Sequence, residues 1–302
     1  MIIVQIAGGL GNQMQQYAMA RKLIKLGKEV RLDLSWFNKE NQKGLLAPRA
    51  FELAYFTNLP YLECTEADRA RFINDSKMQK IIGKIMPSMA KVFHETKMYH
   101  PEIFDFDDKY LQGFFLCQKY YDDIIPELQQ LFRFPNHIYT EQQIKNADII
   151  TEMEERPSVS VHIRRGDYLD PQNAELFGNI ATDEYYEAAM KYFIDKNSDT
   201  HFYIFTNDSS FARQKYYDTD RYTIVDWNTG KYSLLDIELM SHCWGNICAN
   251  STFSFWGARL NSREDHIAVR TFKMRNNQEV TADIMHEYWP SWILIDETGK
   301  II

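Results

Sequence analysis

The chain opens on Ile2, Ile3, Val4 and Ile6, a short apolar run that stops at Gly8-Gly9-Leu10-Gly11. Beyond the glycines, Met14, Tyr17, Ala18, Arg21 and Leu23 fall at helical spacing, so the order is strand, glycine turn, helix. A second strand, predicted over Glu29–Leu34, follows Gly27 at a helix C-terminus and completes a β-α-β unit of about 34 residues. Two strands joined through a helix lie parallel, so this opening commits the chain to an α/β fold.

The same grammar returns later. After an acidic stretch from Asn146 the sequence breaks at Pro157, and Val159–Ile163 restarts a strand pattern. Helices are then predicted over 183–194, 234–241 and 253–261, between strands over 201–206, 222–225, 246–249 and 266–270. That alternation predicts a second, mostly parallel sheet with helices on both faces. A chain of 302 residues is long enough for two domains, and the expected division is 1–155 and 156–302.

A net charge of -8 gives no overall attraction to phosphate backbones, so a nucleic-acid partner is not expected and any anion site must be local. Cys64, Cys117, Cys243 and Cys248 form no C-x-x-C pair and have no histidine at zinc-finger spacing. They read as reduced thiols of a cytoplasmic protein. The first basic residue is Arg21, which leaves no charged leader segment, and the uncharged windows Met1–Ala20 and Leu239–Ala258 are interrupted by polar residues. An amphipathic helix is predicted from Met78 to Phe93, bent or ended at Pro87, with Lys77, Lys80, Lys84 and Lys91 on its polar face.

Four segments carry chemistry. Gly8-Gly9-Leu10-Gly11-Asn12-Gln13-Met14 is a glycine turn at a helix N-terminus, where backbone amides receive phosphate; its alternative is a tight turn without a ligand. Matched to G-x-G-x-x-G from Gly9, it puts Met14 in the third glycine position and Asp33 where a ribose-binding acid would stand. His162-Ile163-Arg164-Arg165-Gly166-Asp167-Tyr168 ends a strand with two guanidinium groups suited to a diphosphate, and His162 is placed to add a donor. Tyr203-Ile204-Phe205-Thr206-Asn207-Asp208 ends another strand in an amide and a carboxylate, suited to guanine or a ribose, or to a local turn. Asn250-Ser251-Thr252-Phe253-Ser254-Phe255-Trp256-Gly257-Ala258 opens a helix with three hydroxyls, a second anion cradle or a well-capped core helix.

In that order GGLGNQM with QYA, HIRRGDY, YIFTND and STFSFWGA resemble the α-1,2-fucosyltransferases, glycosyltransferase family 11. The resemblance spans residues 8 to 258, with one departure at Gln15, where an aromatic is expected. It implies a GT-B-like fold of two Rossmann-like domains facing across a cleft, the first on the acceptor side and the second binding GDP-fucose. The implied reaction is that of a galactoside α-1,2-fucosyltransferase, a hexosyltransferase: inverting, metal-independent transfer of L-fucose to the 2-hydroxyl of a terminal β-galactose. No D-x-D motif at a strand end contradicts the metal-free expectation. Cytoplasmic O-antigen or surface polysaccharide synthesis is the implied setting, with membrane contact limited to a lipid-linked acceptor at the inner face.

Carried over to this chain, Arg164 and Arg165 would stabilise the departing phosphate and His162 would hold the nucleotide. Ser251, Thr252, Phe253 and Ser254 would receive its oxygens, and Asn207 and Asp208 would stand at the guanine. Gly9, Gly11 and Asn12 would reach the diphosphate from the first domain. Asp167, Asp170 and Glu175 lie just beyond the arginines, and Asp167 is the choice among them for the base; its alternative role is to orient Arg164 or Arg165, and an SN1-like route needs no strong base. Two readings compete: an NAD-dependent oxidoreductase built on the first glycine turn and Asp33, and a non-catalytic carbohydrate-binding protein built on Trp227, Trp244, Trp256, Trp289 and Trp292. The sequons at Asn74, Asn207 and Asn250 read as chance in a cytoplasmic chain.

Overall fold

The computed structural model describes residues 1–44, 48–73, 90–134 and 141–302. It divides into two compact units, Met1–Arg133 and Phe134–Ile302. In the first, β1 (Ile2–Gln5) leads through α1 (Leu10–Lys25) to β2 (Val30–Asp33), as the opening pattern predicts. Gly27 ends the helix at φ 81°, a conformation open to glycine, and Lys28 donates back to the Leu23 carbonyl. Two further strands, β3 (Val92–His94) and β4 (Lys109–Gln112), complete a parallel sheet in the order β2-β1-β4-β3. Phe93 therefore belongs to a strand paired with β4. The helix predicted upstream of it, with Lys77, Lys80 and Lys84, lies outside the described residues.

The second unit holds six parallel strands: β5 (Ser158–Ile163), β6 (His201–Thr206), β7 (Tyr222–Val225), β8 (Gly245–Cys248), β9 (Ile267–Thr271) and β10 (Trp292–Ile295). Their order is β10-β9-β8-β5-β6-β7, so the chain steps outward from β5 to β7 and then returns past β5 to β8. This is the doubly wound Rossmann order, with its switch point between β5 and β8. Val159, Val161 and Ile163 of β5 pack against Tyr185, Ala189 and Phe193 of the helix Asp183–Lys196. Tyr203 and Phe205 of β6 face the other way, against Met153, Leu239 and Met240. Helices thus cover both faces, as the alternation predicts.

The units divide after Arg133 rather than near 155. The helix Glu141–Glu155 belongs to the second unit: Tyr203 donates to Glu152 at 2.8 Å, Trp227 donates to Asn146 at 2.6 Å, and Met153 is fully buried. Pro157 is thus a helix-to-strand turn inside a unit, and the acidic composition before it belongs to a largely solvated helix. All four cysteines are free thiols, and burial pushes Cys243 and Cys248 up to about 12. Among the described residues no helix is long and apolar enough to cross a membrane, and no cluster of His, Cys, Asp and Glu is arranged to hold a metal.

Candidate active site

Two adjacent tyrosines fix the strand ends that flank the switch point. Tyr185 donates to the Cys248 carbonyl at 2.6 Å and Tyr186 to the His162 carbonyl at 2.8 Å, so one helix clamps the carboxyl ends of β8 and β5. Tyr168 then ties the two following loops together by donating to the Asn250 carbonyl at 3.1 Å. Ligands of open α/β sheets bind at this edge.

His162 sits inside that edge, buried and tilted against Phe253 with ring centroids 5.6 Å apart. Burial, reinforced by the Arg164 charge, lowers its pKa to about 3, so the imidazole is neutral in the working range. Its Nδ1 is buried and has no hydrogen-bond partner among the described residues. A neutral, fixed imidazole with an unsatisfied nitrogen is equipped to bind rather than to carry charge.

The two arginines diverge. Arg164 lies over the ring of Tyr168, whose hydroxyl reaches the Asn250 carbonyl, at 5.6 Å. Arg165 stacks on Phe211 at 3.8 Å, its Nε donates to Asp208 at 3.3 Å, and its backbone N–H donates to Asn207 Oδ1 at 3.0 Å. Arg165 is thus held on the β6 side by Phe211, Asp208 and Asn207. Asp208 is held as well, because its other oxygen accepts from the Phe211 N–H at 3.1 Å and caps the helix Ser209–Lys215. Asn207 and Asp208 both serve the local turn. Gly166 packs closely here: a Cβ would stand 2.2 Å from Asn207 Nδ2 and would displace that side chain. Asp167 lies in the single 3-10 turn Gly166–Leu169 that follows, and its side chain is outside the described part of the structure.

Across the switch point, Ser251 occupies the N-cap position of the helix Thr252–Leu260 without capping it through its side chain. The helices starting at Asp183, Ser209 and Ala282 differ: Thr182, Asp208 and Thr281 cap them. Ser254 donates back to the Ser251 carbonyl at 3.2 Å, and Asn250 anchors the turn by donating to the carbonyls of Phe177 and Met274. The buried Asn250 amide is structural and inaccessible to a glycan. The arrangement supplies an anion with the positive end of a helix beside Phe253 and His162.

The glycine turn of the first unit is organised differently. Gly9 is the N-cap of α1, and Gly8, at φ 81°, packs under Asn12, whose amide a Cβ at Gly8 would meet at 2.8 Å. Gly11 and Met14 are buried within α1. Gln13 donates to the carbonyls of Gly8 and Ala50, both at 2.9 Å, and accepts from the N–H groups of Glu52 and Leu53. Gln16 bridges Ala7 and Gly113. Asp33, the acid the dinucleotide reading relies on, is buried and accepts from Tyr110 Oη at 2.5 Å and the Ser35 N–H at 2.8 Å. Both of its oxygens are thus engaged by the fold.

The family model for glycosyl transferase family 11 matches residues 1–296. The chain belongs to glycosyl transferase family 11. It is 31% identical to the O-antigen biosynthesis glycosyltransferase WbnK of Escherichia coli, over 95% of this chain and 98% of that one. It is 24% identical to an alpha-1,2-colitosyltransferase of Escherichia coli, over 95% and 97%. A galactoside alpha-(1,2)-fucosyltransferase 1 from Bos taurus is 24% identical, over 84% of this chain and 64% of that one. Among solved structures, fucosyltransferase NodZ from Bradyrhizobium matches with TM-score 0.47 and 12% identity, over 85% and 91%.

This family 11 chain is a glycosyltransferase, and each of its two units is a Rossmann-like α/β unit on a parallel sheet. That settles the class against the oxidoreductase and the non-catalytic readings. The tryptophans behind the latter are largely internal: Trp256 and Trp289 are fully buried, and Trp289 stacks on Arg270 at 4.0 Å. Gln15, the departure from the family pattern, is buried in α1.

One group at this edge escapes motif reading. Asp236, in the first turn of the helix Leu234–His242, accepts from Asn228 at 2.9 Å, and Asn228 is joined through Asn146 to Trp227. Burial raises its carboxyl to about 8, with the Asp226 charge adding to the rise and the Asn228 hydrogen bond opposing it. The available signal was a lone acid inside Leu234-Leu235-Asp236-Ile237.

Proposed function

We propose that this glycosyltransferase moves L-fucose from GDP-β-L-fucose to the 2-hydroxyl of a terminal β-galactose, making an α-1,2 linkage with inversion. One observation carries the reading: Arg164, neutral His162 and a helix N-terminus without a side-chain cap gather at the β5/β8 switch point. The shared α-1,2 in the names of the colitosyl and fucosyl relatives supports the linkage. Negative charge grows on the diphosphate as the glycosidic bond breaks, and donors fixed beforehand stabilise it without reorganising. In this reading Arg164 and the backbone and hydroxyl groups of Ser251, Thr252, Phe253 and Ser254 receive that charge. His162 hydrogen-bonds the nucleotide, and Gly9, Gly11 and Asn12 contact the donor from the first unit. Arg165, Asn207 and Asp208 position the loop. Asp167 accepts the proton of the attacking hydroxyl.

With Arg164 in place of a cation, no metal is required. The setting is the cytoplasm, at the inner face of the membrane when the acceptor is lipid-linked, as the O-antigen relative suggests.

Calorimetric titration with GDP, GDP-fucose and NAD in EDTA, followed by transfer to lactose, tests the reading. Binding of GDP and GDP-fucose but not NAD, and an α-1,2-fucosylated product, are expected. GDP binding without turnover of GDP-fucose would exchange fucose for another sugar, and loss of activity in EDTA would remove the metal-free step. Asp167→Asn should bind GDP yet lose turnover; retained turnover would end its role as base.

A further inference from the structure

A helix leaves the carbonyls of its last four residues without donors of its own, and in a short helix these are most of its acceptors. The helix Pro171–Phe177 follows the arginine loop of the second unit, and its four terminal carbonyls, Ala174 to Phe177, all find donors. The Gly178 N–H serves Ala174 at 2.9 Å within the turn, while the other three are served from distant loops. Asn276, in the loop after β9, donates its backbone N–H to Leu176 at 2.8 Å and its side-chain amide to Glu175 at 2.9 Å. The same amide donates to the Gly178 carbonyl at 3.0 Å. Asn250, in the loop after β8, donates to Phe177 at 3.0 Å and to the Met274 carbonyl at 3.2 Å, which joins the two anchoring loops to each other.

Carbonyls held from two other loops fix where this helix ends, and so where the ring of its last residue lies. Phe177 stacks on Tyr168, the ring centroids 5.0 Å apart and the planes 16° from parallel. The Tyr168 hydroxyl donates to the Asn250 carbonyl at 3.1 Å and its N–H to the Arg165 carbonyl at 2.7 Å, so the ring is fixed at both ends. The Arg164 guanidinium lies over that ring at 5.6 Å. A cation held over an aromatic ring gives up rotamer freedom during folding rather than when its ligand arrives. Asn276 is itself exposed, so its three hydrogen bonds place a loop end and do not build a core.

Resting on the assignment of Arg164 to the diphosphate, we propose that Tyr168 and Asn276 are positioning residues of the donor site. Asn276 sets the end of the helix Pro171–Phe177, Phe177 sets the Tyr168 ring, and the ring preorganises the Arg164 guanidinium. The loop after β9 thereby takes part in donor recognition by acting on Arg164. The test is a pair of mutant cycles on the full chain, read as the GDP dissociation constant by calorimetry, which depends on neither the sugar nor the acceptor. Asn276→Ala should weaken GDP binding by about threefold to tenfold and Tyr168→Leu by about tenfold, part of the value of a charge-assisted hydrogen bond. Tyr168→Phe keeps the ring and should stay within about twofold of wild type. In an Arg164→Ala background, Asn276→Ala and Tyr168→Leu should each change GDP affinity by less than about twofold, because the group they position is gone. No loss from either variant, or equal losses in both backgrounds, would overturn the proposal while leaving the donor reading intact. Arg164→Ala binding GDP as tightly as wild type would instead overturn the donor reading and this one with it.

Discussion

Both units place a polar turn after the first strand of a parallel sheet, at the point where the strand order reverses. In the first, the sheet reverses between β1 and β4, and the turn after β1 is closed by its own side chains: Gln13 satisfies four backbone groups and Gln16 two. In the second, the sheet reverses between β5 and β8, and the turn is held from outside, by Tyr185 and Tyr186 below and by Asn207 and Asp208 at its flank. Among the described residues, that external support leaves His162 Nδ1 buried without a partner and the helix after Ser251 uncapped by a side chain. Topology selects where a ligand goes; on the proposed function, the polar groups that the fold has not already satisfied select the second of these edges for the diphosphate.

The sharpest way to break that contrast is at the two arginines. Arg164→Ala should lower turnover by about 10²–10³, the size of a lost preorganised donor at a developing charge. Arg165→Ala should cost about tenfold or less, because its guanidinium holds Asp208 and Phe211 rather than substrate. Equal losses in steady-state assays would mean that both groups reach the diphosphate after all.

The first unit should respond in stability instead. Gln13→Leu leaves up to four backbone groups of a fully buried site without partners, at a cost of about 3 kcal/mol or more, read from the urea midpoint. Asn12→Ala should leave that midpoint nearly unchanged and reduce turnover by about tenfold, the value of one hydrogen bond to a charged ligand. If Gln13→Leu folds as well as wild type, the glutamine is not what closes the turn.

How far the sequence carried depended on whether a feature was local. The strands His201–Thr206 and Tyr222–Val225 and the turn after Gly8 are written in runs of apolar residues and glycines, and they stand where the pattern puts them. β3 and β4 are three and four residues long, and their identity comes from pairing, β4 with β1 and β3 with β4, a non-local fact. The boundary was misplaced for a related reason, since a proline marks a break in the chain and not whether the helix before it packs on the sheet after it. At the candidate site the motifs fall on the loops that follow β5, β6 and β8. They did not show that Arg164 and Arg165 part company, because the partner that takes Arg165 is a capping residue 43 positions away.

The smallest effect concerns a carboxyl at each edge. Asp33 in the first unit accepts from a tyrosine hydroxyl and a backbone N–H, one on each oxygen. Asp236 in the second accepts from the Asn228 amide and has Asp226 adding repulsion, and burial holds its pKa near 8. An acid whose folded pKa lies above its unfolded value keeps a proton that the unfolded chain has already lost. Stability therefore falls as pH rises from about 4 toward 8 and levels off beyond. Asp236→Asn keeps the oxygen that accepts from Asn228 and removes the ionisation. Thermal melts from pH 5 to 8 should show the variant gaining on wild type by on the order of 1 kcal/mol, roughly 2–4 °C in a chain of this size. Parallel curves would place Asp236 on the same footing as Asp33, a carboxylate fully accommodated by the fold, and erase this part of the difference between the two edges.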